Sequence, residues 1–119
     1  MKFMIVDDSV IMRKAIEKYC KTFNFDFIGS AGNGIDALKL FKEHLPDIVT
    51  MDITMPEMDG LECLEEVLKI KPDTKVIIIT ALKDKETGLK ALKIGAAGYL
   101  TKPFSEDMIQ EEIKSVIGE

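Results

Sequence analysis

With 119 residues, 46% of them hydrophobic and 31% charged, the chain has the length and composition of one globular domain around a single core. Its net charge of -5, with no Lys/Arg-rich stripe to offset it, argues against nucleic acid as a direct ligand. No run approaches the ~20 apolar residues of a membrane span, and Asp7-Asp8 cuts off the apolar N-terminus too early for a secretory leader, so a cytoplasmic protein is expected.

In chain order, Phe3 to Val6 is a continuous apolar run, the pattern of a strand covered on both faces. Asp7, Asp8 and Ser9 are residues that open a helix, and Met12, Ala15, Ile16, Tyr19, Cys20 and Phe23 then recur on one helical face. Phe25 to Ser30 is a weaker strand, placed at an edge because Phe25 and Phe27 alternate with Asp26. Gly32-Asn33-Gly34 is a turn, and Ala37, Leu38 and Phe41 mark a second helix that ends before Pro46. Asp47 to Met51 is the third strand, followed by a Pro-containing loop from Ile53 to Gly60.

Asp59 with Glu62 resembles a capping box for a third helix carrying Leu61, Leu64 and Leu68. Val76 to Thr80, β-branched throughout, is the strongest strand. Asp84 caps a fourth helix with Ala91 and Leu92 on its apolar face; Gly88 inside it costs up to ~1 kcal/mol against Ala, which makes it the least rigid helix. Gly98 to Thr101 is a fifth strand, Lys102-Pro103 a turn, and Ser105 caps a last helix with Ile109, Ile113, Val116 and Ile117 inward. Cys20 and Cys63 fall at apolar helical positions and read as buried thiols.

Strand and helix alternating five times, without linker or repeat, imply one α/β domain over residues 1–119: a doubly wound (βα)5 parallel sheet with helices on both faces. The strand order that suits five units is 2-1-3-4-5, with a crevice between the C-terminal ends of strands one and three. Asp7 and Asp8 end strand one, Asp52 ends strand three, Thr80 ends strand four and Lys102 follows strand five, so all share one rim. Carboxylates ~5 Å apart at an effective dielectric of ~20 repel by roughly 3 kcal/mol per pair, so the cluster holds a proton or a cation. An all-oxygen set that leaves room for water suits Mg²⁺.

The turn Asp7-Asp8-Ser9 stands where nucleotide-binding relatives of this architecture put glycine, and GxxxxGK[ST] is absent, so a nucleotide cofactor is not expected. A metal beside an exposed carboxylate, faced by a hydroxyl and an ammonium, suits phosphoryl transfer onto Asp52.

Four segments, Val6-Asp7-Asp8-Ser9, Met51 to Gly60, Thr80-Ala81 and Gly98 to Phe104, resemble in sequence and spacing the bacterial response-regulator receiver domains of the single-domain chemotaxis (CheY-like) type, and the likeness spans the chain. The strand order is that family's own, a flavodoxin-like fold. The resemblance implies that Asp52 is the phosphoacceptor and that Asp8 and Asp52 ligate Mg²⁺ directly. It further implies that Asp7 acts through water and that the Thr54 backbone carbonyl is another ligand. Lys102 would neutralise the transferring oxygens, directed into the site by a Lys102–Pro103 peptide expected to be cis. Thr80 and Tyr99 would form a switch pair that alters the face made by helix four, strand five and helix five.

The implied protein is a signalling switch with no output domain, a monomer that catalyses only its own phosphorylation and slow dephosphorylation. Its implied partners are a chemotaxis-type histidine kinase, a flagellar motor switch protein or other target, and a dedicated phosphatase, with neither nucleic acid nor membrane. The alternatives are a phosphorelay intermediate or phosphate sink outside chemotaxis, and an Mg²⁺-dependent phosphohydrolase. Asp52-Ile53-Thr54 speaks against the phosphohydrolase, because it lacks the second aspartate of haloacid-dehalogenase-type phosphatases. Thr54 and Leu82 stand where the enteric chemotaxis pattern has Asn and Glu, so slower self-dephosphorylation and a different class of phosphatase are expected.

Overall fold

A computed structural model describes residues 1–53, 60–81 and 85–118. Its elements run β1 (Lys2–Val6), α1 (Val10–Tyr19), β2 (Asp26–Ala31), α2 (Gly34–His44), β3 (Ile48–Asp52), α3 (Gly60–Ile70), β4 (Lys75–Ala81), α4 (Lys85–Ile94), β5 (Gly98–Lys102) and α5 (Glu106–Ile117). All neighbouring strands pair in parallel, in the order β2-β1-β3-β4-β5. This is the expected doubly wound sheet.

Side chains alternate across each strand, and the core divides accordingly. Met4, Val6, Val49, Met51, Val76 and Ile78 face α2, α3 and α4, where they meet Phe41, Leu64, Val67 and Ala91. Phe3, Ile5, Ile48, Ile77, Ile79 and Leu100 face α1 and α5, against Ile16, Cys20, Ile109 and Ile113. β3 is buried at every position. β2 is the half-exposed edge, with Ile28 bulged between Phe27, opposite Phe3, and Gly29, opposite Met4.

Caps set the helix starts. The Ser9 hydroxyl accepts from the Met12 amide at 3.1 Å, Asn33 Oδ1 from the Asp36 amide at 2.8 Å, and the Ser105 hydroxyl from the Met108 amide at 3.1 Å. Each such bond satisfies an amide that the first helical turn leaves without a partner, typically worth about 1 kcal/mol. The expected caps at Asp59 and Asp84 lie outside the described residues.

Several boundaries differ from the sequence pattern. The apolar series through Phe23 belongs to two elements: α1 ends at Tyr19 with Cys20 as its cap, and Lys21–Phe23 form a 3-10 turn closed by left-handed Asn24. A 3-10 turn holds nearly the helical phase, so periodicity runs through the break. It releases Phe23 to stack on Phe25, with centroids 5.4 Å apart and planes 12° apart. On α4, Ala91 is buried but Leu92 is 36% exposed, because the inward stripe is Gly88, Ala91 and Ile94 instead. Lys102 closes β5 as a strand residue rather than opening a turn, paired with Ala81.

β3 starts one residue later than expected, although the Asp47 amide donates to the Lys2 carbonyl at 2.9 Å and the Asp47 carbonyl accepts from the Lys75 amide at 3.0 Å. The Asp47 carboxylate accepts from the Lys2 amide at 2.8 Å and pairs with Lys71 Nζ at 2.7 Å. Cys20 and Cys63 are both buried and not in a disulfide, and burial pushes the Cys20 thiol up to about 12, so it stays unreactive. Among the described residues no helix is long and apolar enough to cross a membrane.

Candidate functional site

The C-terminal ends of the strands bring Asp7, Asp8 and Asp52 together: one carboxylate oxygen of each lies within 4.8 Å of the others. Asp7 is fully buried, Asp52 is 4% exposed, and Asp8 faces solvent. The same alternation that builds the core selects the partner cation. Asp7 falls in step with Ile5, Asp52 with Ile48, and Lys102 with Leu100, so all three point to the α1/α5 side of the sheet. The Lys102 stem reaches past β4, setting Nζ 3.2 Å from Asp52 Oδ2 and 3.4 Å from Asp7 Oδ2. The Lys102–Pro103 peptide that follows is cis.

Electrostatics follow from this packing. Burial pushes the Asp7 carboxyl above its ordinary range and Asp52 adds to the rise, while the Ser9 amide, donating at 2.9 Å, and Lys102 pull against it. Burial alone would depress Lys102, but Asp52 and Asp7 outweigh it and hold the ammonium above the usual lysine range. Among the described residues, three carboxylates therefore face one paired ammonium, and the exposed member opens the cluster to solvent. This donor set, all oxygen and net negative with one side open, fits a hard divalent ion such as Mg²⁺. Thr54 and Leu82 lie outside the described residues.

Two backbone approaches fix the rim, and neither was visible as a site feature in the sequence. Arg13 Nη1 donates to the Asp7 carbonyl at 2.6 Å, clamping the turn that carries Asp7 and Asp8 to α1. A basic residue one turn into a helix has no mark that separates it from a surface arginine. Gly60 donates its amide to the Ile53 carbonyl at 2.9 Å, and a Cβ there would strike the Ile53 backbone, so α3 can start against the end of β3 only with glycine.

Thr80 and Tyr99 lie on the opposite side of the sheet from Lys102. Thr80 falls in step with Ile78 on the α2/α3/α4 side and is fully buried, with its hydroxyl donating to the Ala81 carbonyl at 3.3 Å. Thr80 pairs with Thr101 and Tyr99 with Ile78, so the two are diagonal neighbours on one face. The Tyr99 ring is half-buried against the core and rests on α4 at Gly88. Its backbone amide faces the Glu112 carboxylate of α5.

Fold and rim together define a flavodoxin-like α/β domain with an acidic, lysine-bridged site at its switch point. Residues 3–114 match the family model described as the response regulator receiver domain. The chain is 41% identical over 114 residues to the chemotaxis protein CheY of Listeria monocytogenes, covering 96% of each. It is 36% identical over 117 residues to protein CcdB of Bacillus subtilis, covering 98% of each. It is also similar to a chain in the crystal structure of the CheX–CheY–BeF3–Mg²⁺ complex from Borrelia burgdorferi, with a TM-score of 0.92 and 34% identity over 98% of this chain and 89% of that one.

The chain belongs to the response-regulator receiver family of two-component signalling. Receiver domains of this kind are signalling switches rather than turnover enzymes.

Proposed function

We propose that residues 1–119 act as one phosphorylation-dependent switch whose phosphoacceptor is Asp52. The observation that carries the reading is Lys102 held by both Asp7 and Asp52 inside the acidic cluster. An Asp52 oxygen attacks the phosphorus of a histidine-kinase phosphohistidine. A P–O bond forms, the P–N bond breaks, and the imidazole leaves with the electron pair as Asp52 becomes an acyl phosphate. Lys102 moves its partnership from the Asp52 carboxylate to the phosphoryl oxygens, where charge builds during transfer.

Asp8 and Asp52 would hold Mg²⁺ directly, with Asp7 acting through water and the Thr54 carbonyl as a further ligand. The ion supplies electrostatic neutralisation of the transferring group. The Thr80 hydroxyl hydrogen-bonds a phosphoryl oxygen after transfer, and Tyr99 responds by turning inward, which changes the α4–β5–α5 face offered to a target. That target is a flagellar motor switch protein, in line with the chemotaxis relatives, and a CheX-like protein is a further partner suggested by the Borrelia complex.

The second reading is a stand-alone receiver that relays or stores phosphoryl groups outside chemotaxis; not every relative of this length bears a chemotaxis name, protein CcdB being one that does not. Incubation with a labelled acyl phosphate and Mg²⁺ tests the common core of both. One label per chain is expected, whereas repeated turnover of a generic phosphate ester would make the chain a phosphohydrolase. Tighter binding of a motor-switch peptide after labelling separates the chemotaxis reading from the relay.

A further inference from the structure

Gly88 sits in the middle of α4, where its low helix propensity brings no advantage to the helix itself. It is fully enclosed on its inward side by the Tyr99 ring. A Cβ placed on Gly88 would lie 3.0 Å from Tyr99 Cδ2 and 3.2 Å from Cε2, contacts tighter than a methyl carbon and an aromatic ring ordinarily make, with Cγ in ordinary contact at 3.5 Å. The ring cannot yield by bending, and its backbone is held on both sides: β4 pairs with it at Ile78, and Glu112 faces its amide. For an added Cβ, relief therefore requires the ring or α4 to give by a few tenths of an ångström, and a longer side chain requires more.

We infer that Gly88 is a positioning residue for Tyr99: the absence of a side chain at 88 creates the seat against α4 that the ring touches here and settles into when it turns inward. This rests on the reading of Thr80 and Tyr99 as a switch pair and names the element that decides how far the ring can move. Any side chain at 88 competes with the ring for one space, so it shifts the population of Tyr99 outward without touching the acidic cluster. Linkage then requires a penalty at the phosphoryl site equal to the loss at the ring, since coupling between two sites is reciprocal.

The chain has two tyrosines and no tryptophan, so a Tyr19→Phe background leaves Tyr99 as the sole fluorophore of its class. In that background, acrylamide quenching of Tyr99 and the affinity for beryllofluoride with Mg²⁺ are measured for Gly88, Gly88→Ala and Gly88→Leu. Both replacements have higher helix propensity than glycine, so helix formation is not impaired. With Gly88, beryllofluoride should protect Tyr99 from the quencher. Gly88→Leu should leave Tyr99 accessible and bind beryllofluoride several-fold more weakly, with Gly88→Ala in between.

In a Tyr99→Ala background the same replacements should leave beryllofluoride affinity unchanged, an outcome that a purely structural role for Gly88 would not produce. Protection and affinity equal across all three residues at 88 would overturn the inference alone. A Gly88 protein whose Tyr99 ignores beryllofluoride would overturn the switch pair, and the inference with it. If Gly88→Leu does not fold, Gly88→Ala carries the same comparison.

Discussion

The Lys102 ammonium, carried on the last residue of edge strand β5, stands 3.2 Å from Asp52, the last residue of central strand β3. It reaches over β4 to get there and also touches Asp7, beyond β3 at the end of β1, at 3.4 Å. A single flexible side chain thus holds two buried carboxylates that would otherwise repel, and it can follow the charge when one of them is esterified.

Lys102→Met strips the buried carboxylates of that partner. Removing one member of a buried ion pair costs about 3–5 kcal/mol, so the variant should lose roughly that much stability without divalent ions. Saturating Mg²⁺ should restore part of it, because the ion takes over the neutralising charge. Urea denaturation with and without Mg²⁺ checks both. Phosphorylation by an acyl phosphate should fall on the order of 100-fold or more even with Mg²⁺ present, as expected for loss of one transition-state donor. Equal stability of variant and wild type without metal would remove Lys102 from the account.

Mg²⁺ itself should stabilise the native chain. At 100 times its dissociation constant a ligand specific for the folded state adds ~2.7 kcal/mol. Asp8→Asn removes the exposed carboxylate that opens the cluster, and melting curves of this variant should respond far less to Mg²⁺. A wild-type melt indifferent to Mg²⁺ would mean that the cluster does not bind the ion.

Thr50 lies two residues before Asp52 on β3, fully buried among Ile5 and Ile77, and its hydroxyl has no hydrogen-bond partner among the described residues. A buried polar group left unsatisfied costs about 1–3 kcal/mol. Thr50→Val keeps the shape and deletes that cost, so it should stabilise the fold by about 1 kcal/mol or more with no change in phosphorylation. Denaturant midpoints at fixed slope report the difference, and a loss of stability would show that the hydroxyl is satisfied in solution.

Glu112 makes one part of stability depend on pH. Burial raises its carboxyl above the ordinary glutamate value of 4.5, against the opposing pull of the Tyr99 amide. A raised folded value favours the neutral acid, so its contribution is complete below pH 4.5 and fades as pH rises through the folded value. Ionised Glu112 is therefore a burden at neutral pH. Glu112→Gln should be more stable than wild type at pH 7, and the gap should close as the pH falls towards the ordinary glutamate value. A gap independent of pH would contradict this origin.

Much of the architecture was legible because two periodicities carry it. Apolar runs ending in Asp, Thr or Lys located the strands and their rim, and the period of two along Ile48–Asp52 already aimed Asp52 to the same side as Ile48. What escaped was whatever depends on a partner from elsewhere in the chain. The 3-10 turn at Lys21–Phe23 kept the helical phase and hid the end of α1. Leu92 matched an apolar stripe, but the sheet meets α4 on its Gly88 and Ala91 side. Gly88 itself read as a weakness in the helix; only the Tyr99 ring packed on it supplies the reason. Arg13 had no local signal at all, since the carbonyl it grips belongs to a neighbouring turn.

The central claim is that Asp52 is the residue that carries the phosphoryl group. It is tested most directly by treating the chain with an acyl phosphate and Mg²⁺, trapping the product with borohydride, and sequencing the peptides by mass spectrometry. Borohydride reduces an acyl phosphate to an alcohol, so position 52 alone should be recovered as homoserine, and Asp52→Asn should yield none. Homoserine at position 7 or 8, or undiminished labelling of Asp52→Asn, would contradict the account.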